Sequence, residues 1–528
     1  MREIKTVNAK GQEGKIKGAF ELEAFDLYPN FTSEDLNHVK ARSFASLQLR
    51  AKNAVRKLLR SKEDRILVLC GSEEILELYN AKTLVKLVKS DFTNFKALIA
   101  PTKEELLGNP QKNLQGAVEL YELLILKAAL FLDHPKWITR MQRALAQNPK
   151  LKLIICGDVS DLSALSLMWP ALDPAIHSDY VLEFPSLGGV DLIASLVLGL
   201  KEELGLKDFN FKALHLLAIW SCRQSGDRRW LGIPEVRLRS ILAEANDYAK
   251  GNEVTEREVL KAIAANDFRV NFLAESELRD HRDRQILIST KGAVIGQING
   301  LSVVEMAGSS YEFGEPVRIT ASLRAGGEGD IIDIERKAEL AGQIHAKAMM
   351  IINGYITREF GSQTPLPVSA SLVFEQSYSE IDGDSASLTG LCAVISCLSN
   401  IPLRQDLAVT GAVDQFGDVQ PVGGVNEKIE GFFKVCRLHG LSGSQGVIIP
   451  SSCVNQLVLR PAIVKAVEQG KFHIYTVSHV EEAFKLLSLV DWGDEDTEGS
   501  VVNRIVERLN EIALGKEEDV PWWKFWAR

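Results

Sequence analysis

Two side chains in this sequence have the types and setting of a nucleophile and its base: Ser385, in GDSAS (residues 383–387), and Lys428, in PVGGVNEKIEGFF (421–433). A serine hydroxyl is a weak nucleophile at neutral pH until a neighbouring base takes its proton. Lysine can do this only as the neutral amine, so its surroundings must lower its pKa by desolvation or by positive potential. Both conditions are readable here. Ile429, Phe432, Phe433 and Cys436 recur at helical spacing, with Asn426 in the place of an N-cap. Lys428 then lies in the first turn, at the positive end of the helix macrodipole, and Gly423 and Gly424 allow close backbone approach. On the serine side, SLVFEQS (371–377) reads as a strand, and Leu388, Leu391, Val394, Ile395 and Leu398 as the buried face of a helix starting just past Ser385. Backbone N–H groups at that helix start would be available to an oxyanion, and Asp382 and Asp384 are candidate caps. Spacing alone leaves the plain alternatives open, in which the serine is only an N-cap and the lysine a solvated charge.

Longer stretches of text narrow the choice. They are GQINGLSV (296–303), FGEPVRITA (313–321), DIERKAELAGQIHAKAMMIINGYI (333–356), FEQSYSEIDGDSAS (374–387) and AVTGAVDQFGDVQPVGGVNEKIEGFF (408–433). Through these blocks the chain from about 284 to about 487 resembles the proteolytic domain of the Lon protease family (peptidase S16), in its archaeal-type branch. The resemblance implies that Ser385 is acylated and that Lys428 is the general base, with no histidine or aspartate required. It also implies that Thr410, in AVTG, hydrogen-bonds the lysine amine; an ordinary strand residue is the alternative. Asp384 stands where the bacterial-type motif carries proline, and either tunes the site or caps the helix. No H-E-x-x-H, G-x-S-x-G or paired C-x-x-C occurs, so rival hydrolase and zinc-site readings lack their motifs and no metal site is expected. His345, Met349 and Met350, in an apolar helical run, read as core or interface residues rather than ligands.

A length of 528 residues corresponds to roughly three or four domains. With 46% hydrophobic and 25% charged residues the composition is that of an ordinary globular chain. A formal charge of -9 argues against a generally basic nucleic-acid binder. No run reaches the roughly 18 apolar residues of a membrane span, and MREIKTVNAKGQEGK lacks the apolar core of a signal peptide, so a cytoplasmic location is expected. Seven cysteines form no spacing framework, and Cys70 and Cys156 each end an apolar strand-like run, which reads as buried thiols.

Lon-family proteins carry an AAA+ ATPase module ahead of the protease. Here RILVLCG (65–71) reads as its first buried strand, but SEEILELYN follows where G-x-x-x-x-G-K-[ST] is needed to hold phosphates and magnesium. GQEGKI (11–16) is too short and lies before that strand. AALFLDH (128–134) is the best match for the second nucleotide motif, with Asp133 in the place of the metal-binding aspartate and His134 in that of the glutamate; a plain buried strand or helix is the preferred reading. LKLIICGD (151–158) resembles the next strand. Helical text from about 190 to about 271 includes PEVRLRSILAEANDYAKGNEVTEREVLKAI (234–263), similar to an AAA+ lid, where Arg237 and Arg239 read as structural or intersubunit contacts.

The expected fold is therefore an α/β and α+β multidomain chain. It comprises a degenerate AAA+ α/β module over 1–189, a lid-like helical domain over 190–275, a Lon proteolytic domain over 284–487, and an acidic linker, short helix and Trp-rich tail over 491–528. The tail holds Trp522, Trp523, Phe525 and Trp526. Between residues 40 and 65 the chain is rich in Lys and Arg, which reads as a solvated face or subunit contact before it reads as a nucleic-acid site. The expected function is an ATP-independent Ser/Lys endopeptidase acting on unfolded or damaged proteins inside a homo-oligomeric ring, a hexamer by resemblance, with no cofactor. A non-catalytic ring scaffold or chaperone, and an ATP-dependent Lon protease with an unconventional nucleotide site, are the alternatives.

Overall fold

The computed structural model describes all residues except 8–12, 32–35, 37, 72–73, 306–310, 362–365, 378–380 and 515–528. The Trp-rich tail, Gly11 and Gln12 of GQEGKI, and the two residues after Gly71 thus lie outside the described residues. The chain divides into two compact units: Met1–Asn30, Gly226–Arg228 and Asp267–Arg528 form one, and Phe31–Ser225 with Arg229–Asn266 the other.

The first unit is built on an eight-stranded sheet in the order Arg2–Val7, Glu13–Glu21, His473–Val477, Gly446–Pro450, Leu407–Val409, Gln297–Val304, Phe313–Asp333, Val368–Phe374. The four middle strands, from His473–Val477 to Gln297–Val304, run parallel, and the outer pairings are antiparallel. Middle strands such as Gly446–Pro450 are buried at every position, as parallel strands covered on both faces must be. One core gathers residues of the helices Gln343–Phe360, Ser387–Ser399, Val480–Ser488 and Val501–Ala513, and a second those of Val425–His439 and Pro461–Glu468. Helix Ser387–Ser399 is buried at every residue, which fits its apolar text. Its hydroxyls are satisfied locally: Thr389 Oγ1 donates to the Val409 carbonyl at 3.0 Å and Ser399 Oγ to that of Ile395 at 2.7 Å.

The sequence placed a strand at 371–377; the strand is Val368–Phe374. It stops early because Gln376 adopts φ +56° and is bolted to another segment, its Oε1 accepting from Leu287 N at 2.8 Å and its Nε2 donating to Gln285 O at 2.6 Å. Met349 is in the core, as expected, but Met350 is 59% exposed, because it occupies the outer face of helix Gln343–Phe360. His345 is buried 3.3 Å from the carboxylate of Asp333, with its ring edge-on to Phe374. The C-terminal helix Val501–Ala513 buries Val501, Ile505 and Leu509 in the first core.

The other unit carries a five-stranded parallel sheet in the order Phe95–Ala97, Leu123–Lys127, Lys152–Gly157, Ile66–Cys70, Ile176–Asp179. RILVLCG and LKLIICGD are neighbouring strands of it. AALFLDH is not a strand: the strand ends at Lys127, Ala128 N–H closes on the Cys156 carbonyl at 2.8 Å, and Ala129–Asp133 is a short helix with Asp133 exposed at its end. Asp133 therefore does not stand at a strand terminus facing a metal. Helices Gly189–Leu204, Phe211–Ser225 and Glu235–Tyr248 follow. Arg237 donates to Gln224, and Arg239 bridges Glu203 and Glu235. The basic segment forms helix Leu49–Arg60, with surface pairs Arg50–Asp179 and Lys57–Asp64. None of the seven cysteines forms a disulfide. Among the described residues no helix is long and apolar enough to cross a membrane.

Candidate active site

Ser385 lies half-buried in a turn that opens helix Ser387–Ser399, whose first bond runs from Ser387 N to the Asp384 carbonyl at 2.9 Å. Gly383 supplies φ +115°, a conformation that side chains beyond glycine resist. The turn is zipped to the chain that follows strand Leu407–Val409. Gly411 N and Thr410 Oγ1 both donate to the Ser385 carbonyl, at 2.8 and 3.3 Å, and Leu388 N donates to the Gly411 carbonyl at 3.0 Å. Thr410 is fully buried, and its recorded hydroxyl bond goes to the backbone of the serine.

The two aspartates do not cap this helix with their side chains. Its N-cap is Ala386, and Asp384 contributes a backbone carbonyl. Asp382 caps a different helix, Gln343–Phe360, its Oδ1 accepting from Ile344 N at 3.0 Å and His345 N at 3.2 Å. A Cβ on Gly342 would overlap that carboxylate, so the glycine is what admits it. The backbone joins in, with Ile381 N donating to Leu340 O at 2.8 Å and Gly342 N to Ile381 O at 2.9 Å. The backbone N–H groups of His345, Gly383 and Ile344 hold the Asp382 carboxyl below the usual carboxylate range.

Lys428 sits on the first turn of helix Val425–His439 and is 3% exposed. The helix begins after Gly424, in the left-handed region at φ +63°, and Lys428 N donates to the Gly424 carbonyl at 3.0 Å. Asn426 is thus not the N-cap expected from the sequence. Its amide faces the segment beyond strand Gly446–Pro450, donating to Gln456 O and accepting from Val458 N, both at 2.7 Å. Burial pushes the Lys428 amine down from 10.5 to about 8, while Cys453, Asp384 and Glu427 pull the other way. Asp384, next to Ser385, is among the charges that act on the lysine.

A close backbone crossing packs against the lysine turn. A Cβ on Gly314 would overlap the Glu427 carbonyl oxygen, and a Cβ on Gly431 would overlap the Gly314 carbonyl oxygen. Gly314, Gly431 and Cys453 belong to this setting, and the sequence reading had not singled them out. The two glycines stand in the quoted blocks FGEPVRITA and EGFF, but nothing in either text says that they meet. The strands behind both turns are neighbours, Leu407 opposite Gly446 and Val409 opposite Ile448, so both turns hang from one end of the sheet. Among the described residues no three His, Cys, Asp or Glu side chains group as a metal site.

Comparison with known proteins places this region in a family. Residues 288–489 match the Lon protease (S16) C-terminal proteolytic domain. A putative Lon protease homolog of Escherichia coli is 39% identical over 384 residues, covering 71% of this chain and 65% of the relative. One of Haemophilus influenzae is 37% identical over 385 residues, covering 71% and 63%. An archaeal Lon protease of Archaeoglobus fulgidus is 29% identical over 297 residues, covering 55% and 43%. The chain thus spans a little under two thirds of the length of its bacterial relatives.

Proposed function

Because the chain belongs to the Lon protease family, with the S16 proteolytic domain at residues 288–489, we propose that it is a serine endopeptidase working through Ser385 and Lys428. The observation that supports this reading is a buried first-turn lysine whose pKa burial lowers to about 8, under the charge of Asp384 next to Ser385. Neutral Lys428 takes the Ser385 proton as Oγ attacks a peptide carbonyl, and backbone N–H groups of the turn around Ser385, ahead of helix Ser387–Ser399, meet the oxyanion. The ammonium then gives its proton to the leaving amine. Water, deprotonated by the same amine, releases the acyl group and regenerates the serine.

The subunits assemble into a ring, a hexamer, that encloses the sites, so that unfolded or damaged proteins in the cytoplasm are the substrates. Peptidase activity is independent of ATP. The parallel sheet of the other unit, followed by helices, supports an AAA+-type frame, and the missing phosphate loop in the text after Cys70 supports its silence. The test is casein cleavage by the chain with and without ATP, beside Ser385→Ala and Lys428→Ala. Equal cleavage with and without ATP, abolished in both variants, is expected. Cleavage that survives Ser385→Ala removes the assigned nucleophile, strict dependence on ATP restores the motor, and no cleavage in any form favours the scaffold.

A further inference from the structure

We propose that Asn426 and Cys453 are positioning residues that set the reach of Lys428 toward Ser385, an inference that rests on the Ser/Lys reading above. The nucleophile turn is measured from one strand end, through Thr410 and Gly411 to the Ser385 carbonyl. The neighbouring strand Gly446–Pro450 continues into Ser451–Gln456, and this segment is what holds the lysine turn.

The hold has two points. Asn426, 4% exposed, uses both ends of its amide on backbone groups of Gln456 and Val458 at 2.7 Å. Cys453, fully buried, meets Val422 from both sides, its Sγ accepting from Val422 N at 3.4 Å and lying 3.7 Å from the Val422 carbonyl. Val422 and Asn426 bracket the glycine pair 423–424, the one place where this backbone could swing before the helix begins. With both sides fixed, the rotation of the first turn about the helix axis is fixed, and with it the direction in which Lys428 leaves the helix. The lysine side chain is a long lever reaching out from the helix axis, so a small turn of the helix start moves its amine by about an ångström or more. Proton transfer tolerates little of that, and misplacement by about 1 Å costs roughly a hundredfold. Thr410 N also donates to Ile448 O at 3.1 Å, so the two strand ends form one rigid gauge between serine and lysine.

The test uses the full chain and the rate at which a fluorophosphonate probe labels Ser385, followed across pH, with melting temperature measured in parallel. Asn426→Ala is expected to slow labelling by about tenfold or more at a temperature where the variant is folded, and to move the pH midpoint of labelling. Asn426→Asp, which keeps the acceptor for Val458 N–H, is expected to recover part of the rate while its added negative charge moves the midpoint upward. Should Asn426→Ala not fold, Cys453→Ala carries the test: slower labelling is expected, with recovery in Cys453→Ser. Variants that melt earlier but label at the wild-type rate and midpoint overturn the inference and leave the dyad standing. A wild-type chain that is not labelled at Ser385 overturns the dyad, and this inference with it.

Discussion

Lys428 holds its proton differently in the folded and unfolded chain, since burial lowers its pKa from 10.5 to about 8. Between those values the unfolded chain binds more protons, so folding stability contributed by this residue rises with pH across the window and is lowest below it. A shift of that size corresponds to about 3 kcal/mol. Lys428→Met should therefore be more stable than the wild type by up to about 3 kcal/mol near pH 7, with the gap closing toward pH 10.5. Denaturant titrations at several pH values measure it, and a gap that does not change with pH contradicts the buried-amine account. With Lys428 as the proposed base, kcat/KM should rise with pH through about 8. Asp384→Asn removes a charge that favours the ammonium, so the midpoint should fall, by about half a pH unit or less because Asp384 is exposed. A midpoint that rises instead would contradict the assigned direction.

The element that places the lysine is a helix pressed against a strand through glycines. Gly431→Ala would drive its Cβ into the Gly314 carbonyl, so a loss of about 1–3 kcal/mol is expected, with peptidase activity falling in molecules that remain folded. A variant with wild-type stability and activity would show that the crossing relaxes without consequence. The C-terminal helix behaves differently. Ile505 is fully buried in the core that also holds helix Ser387–Ser399, and Ile505→Ala should cost about 2–5 kcal/mol by denaturant titration, with activity per folded molecule retained. Helix periodicity around Leu388 and Ile429 was legible because an apolar face needs only its own spacing. The strand before the serine was misplaced because its end is set by Gln376 bonding to Gln285 and Leu287, residues distant in the chain. Asn426 read as a cap because residue type and position fit one, whereas its partners at 456 and 458 are invisible from local text.

At the scale of the whole molecule, Met1–Asn30 belongs with the protease unit, whereas the sequence placed these residues in the nucleotide-type module. Strand Glu13–Glu21 pairs with His473–Val477, Leu22 N donates to Ile474 O at 2.9 Å, and His473 bonds Glu21 at 2.7 Å. Deleting residues 1–30 would strip an antiparallel pair from the sheet and leave His473–Val477 as an open edge. The shortened chain should be less stable and prone to aggregate, as thermal melting and size-exclusion profiles would reveal; unchanged profiles would mean that the pairing adds nothing.

By itself the sequence carried the candidate nucleophile and base and the likeness to the Lon protease family. Ser385, Lys428 and the blocks around them are runs of text, whereas the burial of Lys428, which spacing left open against a solvated charge, was decided by the tertiary structure. Two strands of the parallel sheet in the other unit were legible as short apolar runs. Tertiary structure alone decided what each turn is tied to: Asp382 to a helix start at 344–345, Asn426 to 456–458, Gly314 to Gly431, and the first thirty residues to the strand at 473–477. Periodicity and residue type report a segment's own preferences, whereas these ties join backbone groups far apart in the chain. Backbone N–H and C=O groups are the same at every position, so no residue type announces which pair will meet.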